Sequence, residues 1–345
     1  MDFYEFHLRY RSHPGCVYYL IPWLRERFGW TVEETLWFAF LNGNTQNPIV
    51  SLMIHNRAPS VEDAPAAIEF WRENYQRLEW DTDRRYHKKS FDAAVQDYSA
   101  TVSLVGSQED FWNDAAQKGF KGIWKRASGL YSFGRLSAFS FSEYLRIAGI
   151  PFDCDDLMLG DIAGSSSHRT GLCVVAGLDS FVSFWNKRRR KDLWPKEVLR
   201  YLDGFAESLL FESKVRAEGQ SWARDVSYFT LESALCTYKS WHKPNRRYPN
   251  VYNDMMYLRI KRAERQWPEK DFALWWEARR KNVPDHLRLE DCKADPGLTS
   301  DKQNHYLRTG QVIMMDMEYP HFKNDFNDQL RAFNNPDFSW TSWQL

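Results

Sequence analysis

Apolar residues recur at helical spacing along most of this chain, whereas the alternating runs typical of strands are scarce. No internal repeat or low-complexity segment interrupts the pattern. Turn signals become dense only after Lys243, in KPNRRYPNVYND and KADPGLTSDKQNHY. The sequence therefore predicts an all-α chain with an irregular C-terminal third.

Local signals place several helix boundaries. VYYLIPWLRERFGW is typical of a helix that Pro22 breaks and Gly29 closes. In TVEETLWFAFLNG, Thr31 and Glu34 have the spacing of a capping box, and Asn42-Gly43 indicates the end of the helix. Asn47-Pro48 predicts the start of the next helix.

Composition excludes several classes of protein. The 46 basic and 46 acidic side chains cancel, so polyanions must be bound by local clusters. Five cysteines without a C-x-x-C pair argue against a disulfide framework and a cysteine-rich zinc site, and the nine histidines show no ligand spacing. No run approaches the ~20 apolar residues of a membrane span. We expect a soluble protein of a reducing cytosol, with no dedicated metal site.

Polar residues lie between two apolar helices in FLNGNTQNPIVSLMI. Asn44, Thr45, Gln46 and Asn47 offer amide and hydroxyl groups that can cap the second helix. The same groups can hydrogen-bond to the edge of a nucleic-acid base. Both interpretations are open at this point.

Two adjacent aspartates occur in the apolar sequence PFDCDDLML. An Asp at a helix start is stabilised by about 0.3–1 kcal/mol, so capping alone can explain one of them. A second acid beside Cys154 and Leu157 favours a catalytic carboxylate, because apolar surroundings and like charge shift carboxyl pKa values. We therefore expect Asp155 and Asp156 at the entrance to a buried helix.

Two further groups carry charge. On a helix, Glu232, Cys236 and Lys239 share one face, and their aromatic surroundings favour a partly buried site. The basic and aromatic side chains that follow are typical of phosphate or carboxylate binding. His168-Arg169, after GSSS, is a second candidate for that role.

The order of these motifs resembles that of DNA glycosylases of the helix-hairpin-helix superfamily. TQNPIVSLM is similar to their Gln-bearing helix start. SFGR is similar to their hairpin, in which a glycine turn directs backbone N–H groups at a DNA phosphate. Asp156 falls at the place of their catalytic Asp. The resemblance implies a bilobal helical core over residues 1–242 with a hairpin near residues 130–137, and a basic and aromatic extension over residues 243–345.

Residues 15–325 resemble, more specifically, the phage amino acid:DNA transferases, which are grouped with the alpha-glutamyl/putrescinyl thymine pyrophosphorylases. FLNGNTQNP, FDCDDLML, GSSSHR, FTLESALCTYKSW and RRYPNVYNDM carry this resemblance. It implies thymine hypermodification in phage DNA within the bacterial host cytosol. On this resemblance, a separate kinase is expected to phosphorylate 5-hydroxymethyluracil in double-stranded DNA. The present chain would then flip the base out of the stack, at a cost of a few kcal/mol, and replace the phosphate or pyrophosphate with an amine.

The resemblance implies a free amino acid or a polyamine as the amine donor. No cofactor is implied, although a divalent metal is compatible with phosphate departure. The resemblance and the chemistry of the motifs together assign four groups of site residues. These are the catalytic Asp156, Asp155, Glu232 and Lys239; the base-binding Asn44, Thr45, Gln46 and Asn47; the phosphate- or carboxylate-binding His168, Arg169, Arg246, Arg247 and Tyr248; and the DNA-backbone-binding Gly134, Arg135 and Lys243.

Two alternative functions stay open. A base-excising DNA glycosylase on the same scaffold would release free base and leave abasic sites. A non-catalytic DNA-binding module would leave the aspartate pair and the Glu232/Lys239 face exposed to solvent, with ordinary pKa values.

Overall fold

A computed structural model describes residues 1–11, 16–81, 84–161, 166–182, 194–241, 255–285 and 288. Over these ranges the regular structure is helical and contains no strand, which confirms the all-α prediction. The helices are α1 (Asp2–Arg9), α2 (Val17–Phe28), α3 (Val32–Thr45), α4 (Pro48–Arg57), α5 (Ala64–Glu73), α6 (Phe91–Ser103), α7 (Gln108–Ala116), α8 (Gly119–Ala127), α9 (Arg135–Ala148), α10 (Ser166–Val175), α11 (Lys196–Ala217), α12 (Tyr228–Trp241), α13 (Met255–Gln266) and α14 (Ala273–Asn282).

Contacts between residues divide the chain into two compact units. Unit 1 comprises Met1–Pro14, Asp156–Met255 and Val283–Leu345, and unit 2 comprises Gly15–Asp155 and Met256–Asn282. The predicted domain boundary after residue 242 lies outside the described residues. Of the described helices, none has both the length and the hydropathy needed to cross a membrane.

Unit 2 is built around α3, which is buried on all sides. Its apolar run from Leu36 to Leu41 is fully excluded from solvent, and α2, α4, α7 and α9 pack against it. The capping box is confirmed, since Thr31 and Glu34 exchange side-chain and backbone hydrogen bonds. These bonds lower the pKa of Glu34, because they favour its ionised form.

Two predicted helix ends in unit 2 are wrong for physical reasons. α3 continues past Gly43 to Thr45, and a side chain at Gly43 would meet Phe141 of α9 at 3.2 Å. This glycine therefore serves close helix packing and not a turn. α2 runs through Pro22, whose ring is exposed, so the helix continues with the loss of one backbone hydrogen bond.

The C-terminal third contributes two helices that the sequence did not reveal, α13 and α14. Arg77 fixes the end of α13 by donating to the Gln266 carbonyl at 2.9 Å, with its guanidinium 3.7 Å from the Trp267 ring centre. Arg262 pairs with Glu79 at 3.2 Å. Half-buried ion pairs and a cation–π contact thus attach these helices to the rest of unit 2.

Unit 1 centres on the crossing of α10 and α12, with α1 and α11 beside them. A side chain at Gly171 would lie 2.2 Å from the Leu235 carbonyl oxygen, so only glycine permits this close approach. At the start of α12, the hydroxyls of Tyr4 and Thr230 lie 2.7 Å apart. These contacts fix the positions of α10 and α12, the two helices that carry the candidate site.

Candidate functional site

Residues 156–161 form a segment that unit 1 holds by its backbone carbonyls. Nε2 of His168 lies 2.8 Å from the Leu157 carbonyl oxygen, and Arg169 donates to the Leu159 carbonyl oxygen at 2.9 Å. Both side chains are buried. Because buried carbonyls need donors, His168 and Arg169 fix the course of this segment over α10.

This arrangement bears on the predicted anion-binding role of the two residues. The Arg169 guanidinium is 3% exposed and lies 4.6 Å from the ring centre of Trp194. His168 is fully buried. The contacts of both side chains position the segment that begins at Asp156. Anion binding by either residue stays a prediction.

The second ring nitrogen of His168 faces a buried carboxylate. Nδ1 lies 2.9 Å from Oε1 of Glu232. A carbonyl oxygen can only accept, so Nε2 is the nitrogen that donates toward Leu157, and Nδ1 is the nitrogen that faces the carboxylate.

Cys236 and Lys239 extend this cluster along α12. Sγ of Cys236 donates to Oε1 of Glu232 at 3.4 Å, and Nζ of Lys239 contacts Oγ of Ser167. Burial, reinforced by the Glu232 carboxylate, raises the pKa of the Cys236 thiol. The predicted partly buried face of α12 is confirmed. Glu232, at 7% exposure, contradicts the non-catalytic alternative, whereas the exposed Asp155 and Asp156 agree with it. Ser167 was missed, because its proximity depends on the crossing of two helices.

The aspartate pair departs from its predicted setting. Asp155 and Asp156 lie in an irregular segment between α9 and α10, so neither starts a helix. Both are exposed, whereas Cys154 and Leu157 point inward. Asp156 instead accepts from the Met158 N–H at 2.6 Å, which is typical of an Asx turn. The apolar neighbours do not bury the aspartates, because inward and outward side chains follow one another here.

Another carboxylate lies near Asp156 in unit 1. Reduced solvation and the charges of Asp156 and Glu207 raise the pKa of Asp203, which belongs to α11. The carboxylates of Asp203 and Glu207 are one helical turn apart, so they share a face of α11. This group was missed because no local motif connects it to the aspartate pair.

In unit 2, the end of α3 carries the four residues predicted to bind a base. Oδ1 of Asn44 accepts from the indole N–H of Trp80 at 2.9 Å, and Asn44 is fully buried. The hydroxyls of Thr45 and Ser51 lie 2.7 Å apart, and Asn47 caps α4. Capping and turn chemistry, the first of the two interpretations, thus accounts for the visible bonds of Thr45 and Asn47.

Gln46 and Asn42 differ from these neighbours. Gln46 ends α3 with φ 49° and is half-buried, and its side chain hydrogen-bonds to Tyr144. Burial raises the pKa of Tyr144 to about 12, so the phenol stays neutral. Oε1 of Gln46 and Nδ2 of Asn42 are buried with no partner among the described residues. Asn42 lies four residues earlier, in the last turn of α3. A buried acceptor and a buried donor without partners need a further hydrogen-bonding group, such as a water molecule or a ligand.

Two arginines of α13 line a small cleft of unit 2, and sequence analysis missed both. Arg259 donates to the Gln46 carbonyl at 2.9 Å and pairs with Asp81 at 3.2 Å. Its other terminal nitrogen, Nη1, is buried and has no partner in the described part of the chain. The cleft also includes Asn47, Glu79, Trp80 and Arg262. Arg259 and Arg262 are three residues apart, so they lie on one helix face. This spacing is the sequence signal that could have indicated a shared site.

The predicted hairpin corresponds to the turn between α8 and α9. Ser132, with φ 62°, adopts the left-handed conformation, whereas Gly134 has φ −71° and needs no glycine. The Gly134 N–H donates to the Ser132 carbonyl at 3.0 Å, so it is not free for a phosphate. Arg135 lies 5.8 Å from the ring centre of Trp124. DNA-backbone contact here stays a prediction, as does the glycosylase-like scaffold.

The predicted residues thus fall into two sets within the described chain. Unit 1 brings His168, Glu232 and Lys239 into one cluster next to the segment of Asp156, and unit 2 holds the base-binding and hairpin residues. The remaining predicted residues lie outside the described residues: Lys243, Arg246, Arg247 and Tyr248.

Comparisons with known proteins identify a family. A sequence model of the family described as "Amino acid:DNA transferase" matches residues 20–247. A serinyltransferase of Salmonella phage ViI is 28% identical over 293 residues, which cover 81% of this chain and 71% of that protein. No solved structure matches. The family match includes every predicted site residue except Tyr248.

Proposed function

The chain belongs to the amino acid:DNA transferase family, and we propose that it replaces the phosphate or pyrophosphate on a 5-hydroxymethyluracil in DNA with the amine of an amino acid. The substrate is supplied by a reaction that phosphorylates the hydroxymethyl group. Serine is the first donor to test, because the relative from Salmonella phage ViI is named a serinyltransferase.

The proposed step makes one bond and breaks one. The amine nitrogen bonds to the methylene carbon on C5 of uracil, and the carbon–oxygen bond to the leaving group breaks. The electron pair of that bond leaves with the phosphate or pyrophosphate, and the amine gives up a proton. The step needs a carboxylate near the amine and a cation near the leaving oxygen.

The fixed position of Asp156 is the observation that carries this proposal. Its carboxylate is exposed, while the next residue is held through its carbonyl by buried His168. An accessible acid on a rigid segment can orient the incoming ammonium and accept its proton. Lys239, half-buried beside Ser167, supplies a positive charge for the phosphate. Asp155, the sequence neighbour of Asp156, binds the amine. Arg246 and Arg247 assist Lys239 in binding the phosphate.

Base recognition is assigned to one unpaired amide atom of Gln46 and one of Asn42, at the end of α3. The uracil edge presents an N–H donor between two carbonyl acceptors. Oε1 of Gln46 can accept from that N–H, and Nδ2 of Asn42 can donate to a neighbouring carbonyl. Asn44 lies on a different side of α3 and holds Trp80 in place. This assignment keeps Gln46 from the sequence prediction and adds Asn42.

A nucleoside mass assay tests the proposed function. DNA carrying 5-phosphomethyluracil, or its pyrophosphate form, is incubated with the protein and each amino acid, then digested to nucleosides. We expect a nucleoside that has lost the phosphate and gained one amino acid, with the largest yield for the true donor. Free base with abasic sites would identify a glycosylase instead. Unchanged DNA with every amino acid and polyamine tried would contradict the transferase proposal.

A further inference from the structure

Three side chains with metal-binding atoms meet inside unit 1. Nδ1 of His168, a carboxylate oxygen of Glu232 and Sγ of Cys236 all lie within 4.8 Å of one another. Two of the residues are buried and the third is half-buried. Glu232 and Cys236 are one turn apart on α12, and His168 faces them from α10. The crossing at Gly171 therefore creates a cluster that no local spacing in the sequence indicates.

The separations of these atoms suit a tetrahedral metal ion. With bonds of about 2.0–2.3 Å, such an ion spaces its ligand atoms by about 3.3–3.8 Å. Sγ of Cys236 lies 3.4 Å from Oε1 of Glu232, and Nδ1 of His168 lies 2.9 Å from the same oxygen. A small rotation of the Glu232 side chain opens the shorter distance.

The surroundings of His168 have the form found around metal-bound histidines. A ligating imidazole usually donates its other N–H to a carbonyl or carboxylate, which fixes the tautomer and the ring orientation. Nε2 of His168 lies 2.8 Å from the Leu157 carbonyl oxygen, so Nδ1 is the nitrogen that points into the cluster.

The ligand set matches the charge of a divalent ion. Imidazole, carboxylate and thiolate around a doubly charged cation are neutral overall, which a buried site requires.

We propose that His168, Glu232 and Cys236 bind a divalent transition metal of the Zn²⁺ class, with its fourth position open to an anionic oxygen. Mixed nitrogen, oxygen and sulfur donors select Zn²⁺ or Co²⁺ over Mg²⁺ and Ca²⁺, which require oxygen ligands. Three protein ligands with one open position are the arrangement of catalytic sites and not of structural ones.

This inference deepens the proposed function, since the open position lies in the cluster that includes Lys239. An anionic oxygen bound there belongs to the leaving phosphate or to the amino-acid carboxylate. Metal binding is measured without DNA, so its failure and the failure of the transferase proposal are separate results.

The experiment is a metal titration of the full chain after treatment with a chelator. We expect one equivalent of Zn²⁺ or Co²⁺ to bind and to raise Tm, with Mg²⁺ having no such effect. The Co²⁺ form should show a thiolate-to-metal charge-transfer band in the near ultraviolet. Phosphate or serine, added separately, should alter the visible Co²⁺ spectrum, and the active one identifies the source of the anionic oxygen.

Two cysteine variants make the test specific. Cys236→Ala should lose the charge-transfer band and at least about 100-fold in affinity, since even the outer partners of a metal site contribute about 10–100-fold. Cys173→Ala is the matched control, because Cys173 is a fully buried thiol of α10 outside the cluster, and it should bind as the wild type does. A folded wild type that retains no stoichiometric metal, or a thiolate band that persists in Cys236→Ala, would overturn the proposal.

Discussion

In unit 2, the imidazole of His55 lies 4.3 Å from the ring of Trp30 and contacts the Glu34 carbonyl at 3.1 Å. In unit 1, the imidazole of His168 has a carbonyl at one nitrogen and the carboxylate of Glu232 at the other. Both histidines are buried. Their partners therefore distinguish them, and burial does not.

This difference separates packing from chemistry. Burial lowers the pKa of His55 to about 4, so it is neutral at physiological pH and behaves as part of an aromatic core. His87 of unit 2 has a pKa lowered to about 4 in the same way. His168, by contrast, lies against the buried carboxylate of Glu232, in a cluster that includes a thiol and a lysine. Several ionisable groups gathered in one buried place indicate a functional site, whereas a single buried histidine does not.

If the reaction takes place in unit 1, substitution of Asp156 should cause the largest loss of activity. Asp156→Asn keeps an oxygen for the Met158 N–H but removes the charge that orients and deprotonates the amine. We expect amine transfer to fall about 10²–10⁴-fold, the usual contribution of a general acid or base. Single-turnover nucleoside analysis measures the loss, and Tm should not fall.

Asp153→Asn is the matched control for that variant. Asp153 is an exposed acid three residues earlier, and it pairs with Arg146 at 3.3 Å. An exposed pair contributes about 0–1 kcal/mol, so activity and Tm should both be close to wild type. Equal activity of the two variants would remove Asp156 from the mechanism.

The close crossing in unit 1 predicts the largest loss of stability. Gly171→Ala places a carbon 2.2 Å from the Leu235 carbonyl oxygen, and backbone cannot move aside as a flexible side chain does. We expect the free energy of unfolding to fall by about 3 kcal/mol or more, at the upper end for overpacking. Separation of α10 from α12 should also move His168 away from Glu232 and weaken metal binding.

Gly204→Ala on α11 gives the opposite expectation in the same unit. A carbon added there meets nothing within 4 Å. Alanine should stabilise the helix by about 0.5–1 kcal/mol relative to glycine. Urea unfolding of both variants separates a glycine required by packing from one that is not, and equal destabilisation would contradict the explanation.

The same contrast shows how much of the fold the sequence predicts. The Thr31–Glu34 box, the Gly29 end and the Asn47 cap depend on neighbouring residues, so local patterns identify them. Gly43 and Gly171 look like turn signals, but each serves a contact with a helix distant in sequence. Local chemistry cannot distinguish these two uses of glycine.

The candidate site also has features that local sequence predicts and features that depend on distant contacts. The face of α12 with Glu232 and Lys239 follows from helix periodicity, and the sequence predicts it. The approach of His168 to Glu232 depends on how two helices cross, and periodicity contains no such information. The exposure of Asp156 was misjudged because burial in an irregular segment changes from one residue to the next.

Because His55 of unit 2 is buried in its neutral form, we expect the folded chain to lose stability in acid. The folded-state pKa of His55 is about 4 against an ordinary 6.5, so the folded chain binds this proton less tightly than the unfolded chain. The stabilising difference is present above the ordinary pKa and is lost as pH falls from about 6.5 toward 4. Over that window it amounts to about 3 kcal/mol.

His55→Gln tests the origin of that loss. Glutamine can donate to the Glu34 carbonyl but takes up no proton, so the variant should be less stable at neutral pH and approach wild type as pH falls. Urea unfolding at several pH values gives the two profiles. His87 is unchanged in the variant, so some pH dependence should persist. Parallel profiles would mean that His55 is not responsible.

The smallest expected effect is that of substituting Asp203, which lies near the proposed catalytic Asp156. The pKa of Asp203 is raised, so ionisation of Asp203 costs stability as pH rises above the ordinary carboxyl range. Asp203→Asn should therefore raise Tm slightly at neutral pH, and the gain should vanish in acid, where the carboxyl is protonated in both states. Glu212→Gln, an exposed acid on the same helix, should show no such pH dependence.

A double-mutant cycle decides whether Asp156 causes the effect at Asp203. If repulsion between the two carboxylates is the cause, Asp203→Asn should stabilise the wild type more than it stabilises Asp156→Asn. The coupling would place both acids around one point of unit 1, where a cationic amine can offset their repulsion. Independent effects would leave Asp156 as a single exposed acid, and its role would then rest on the activity measurement alone.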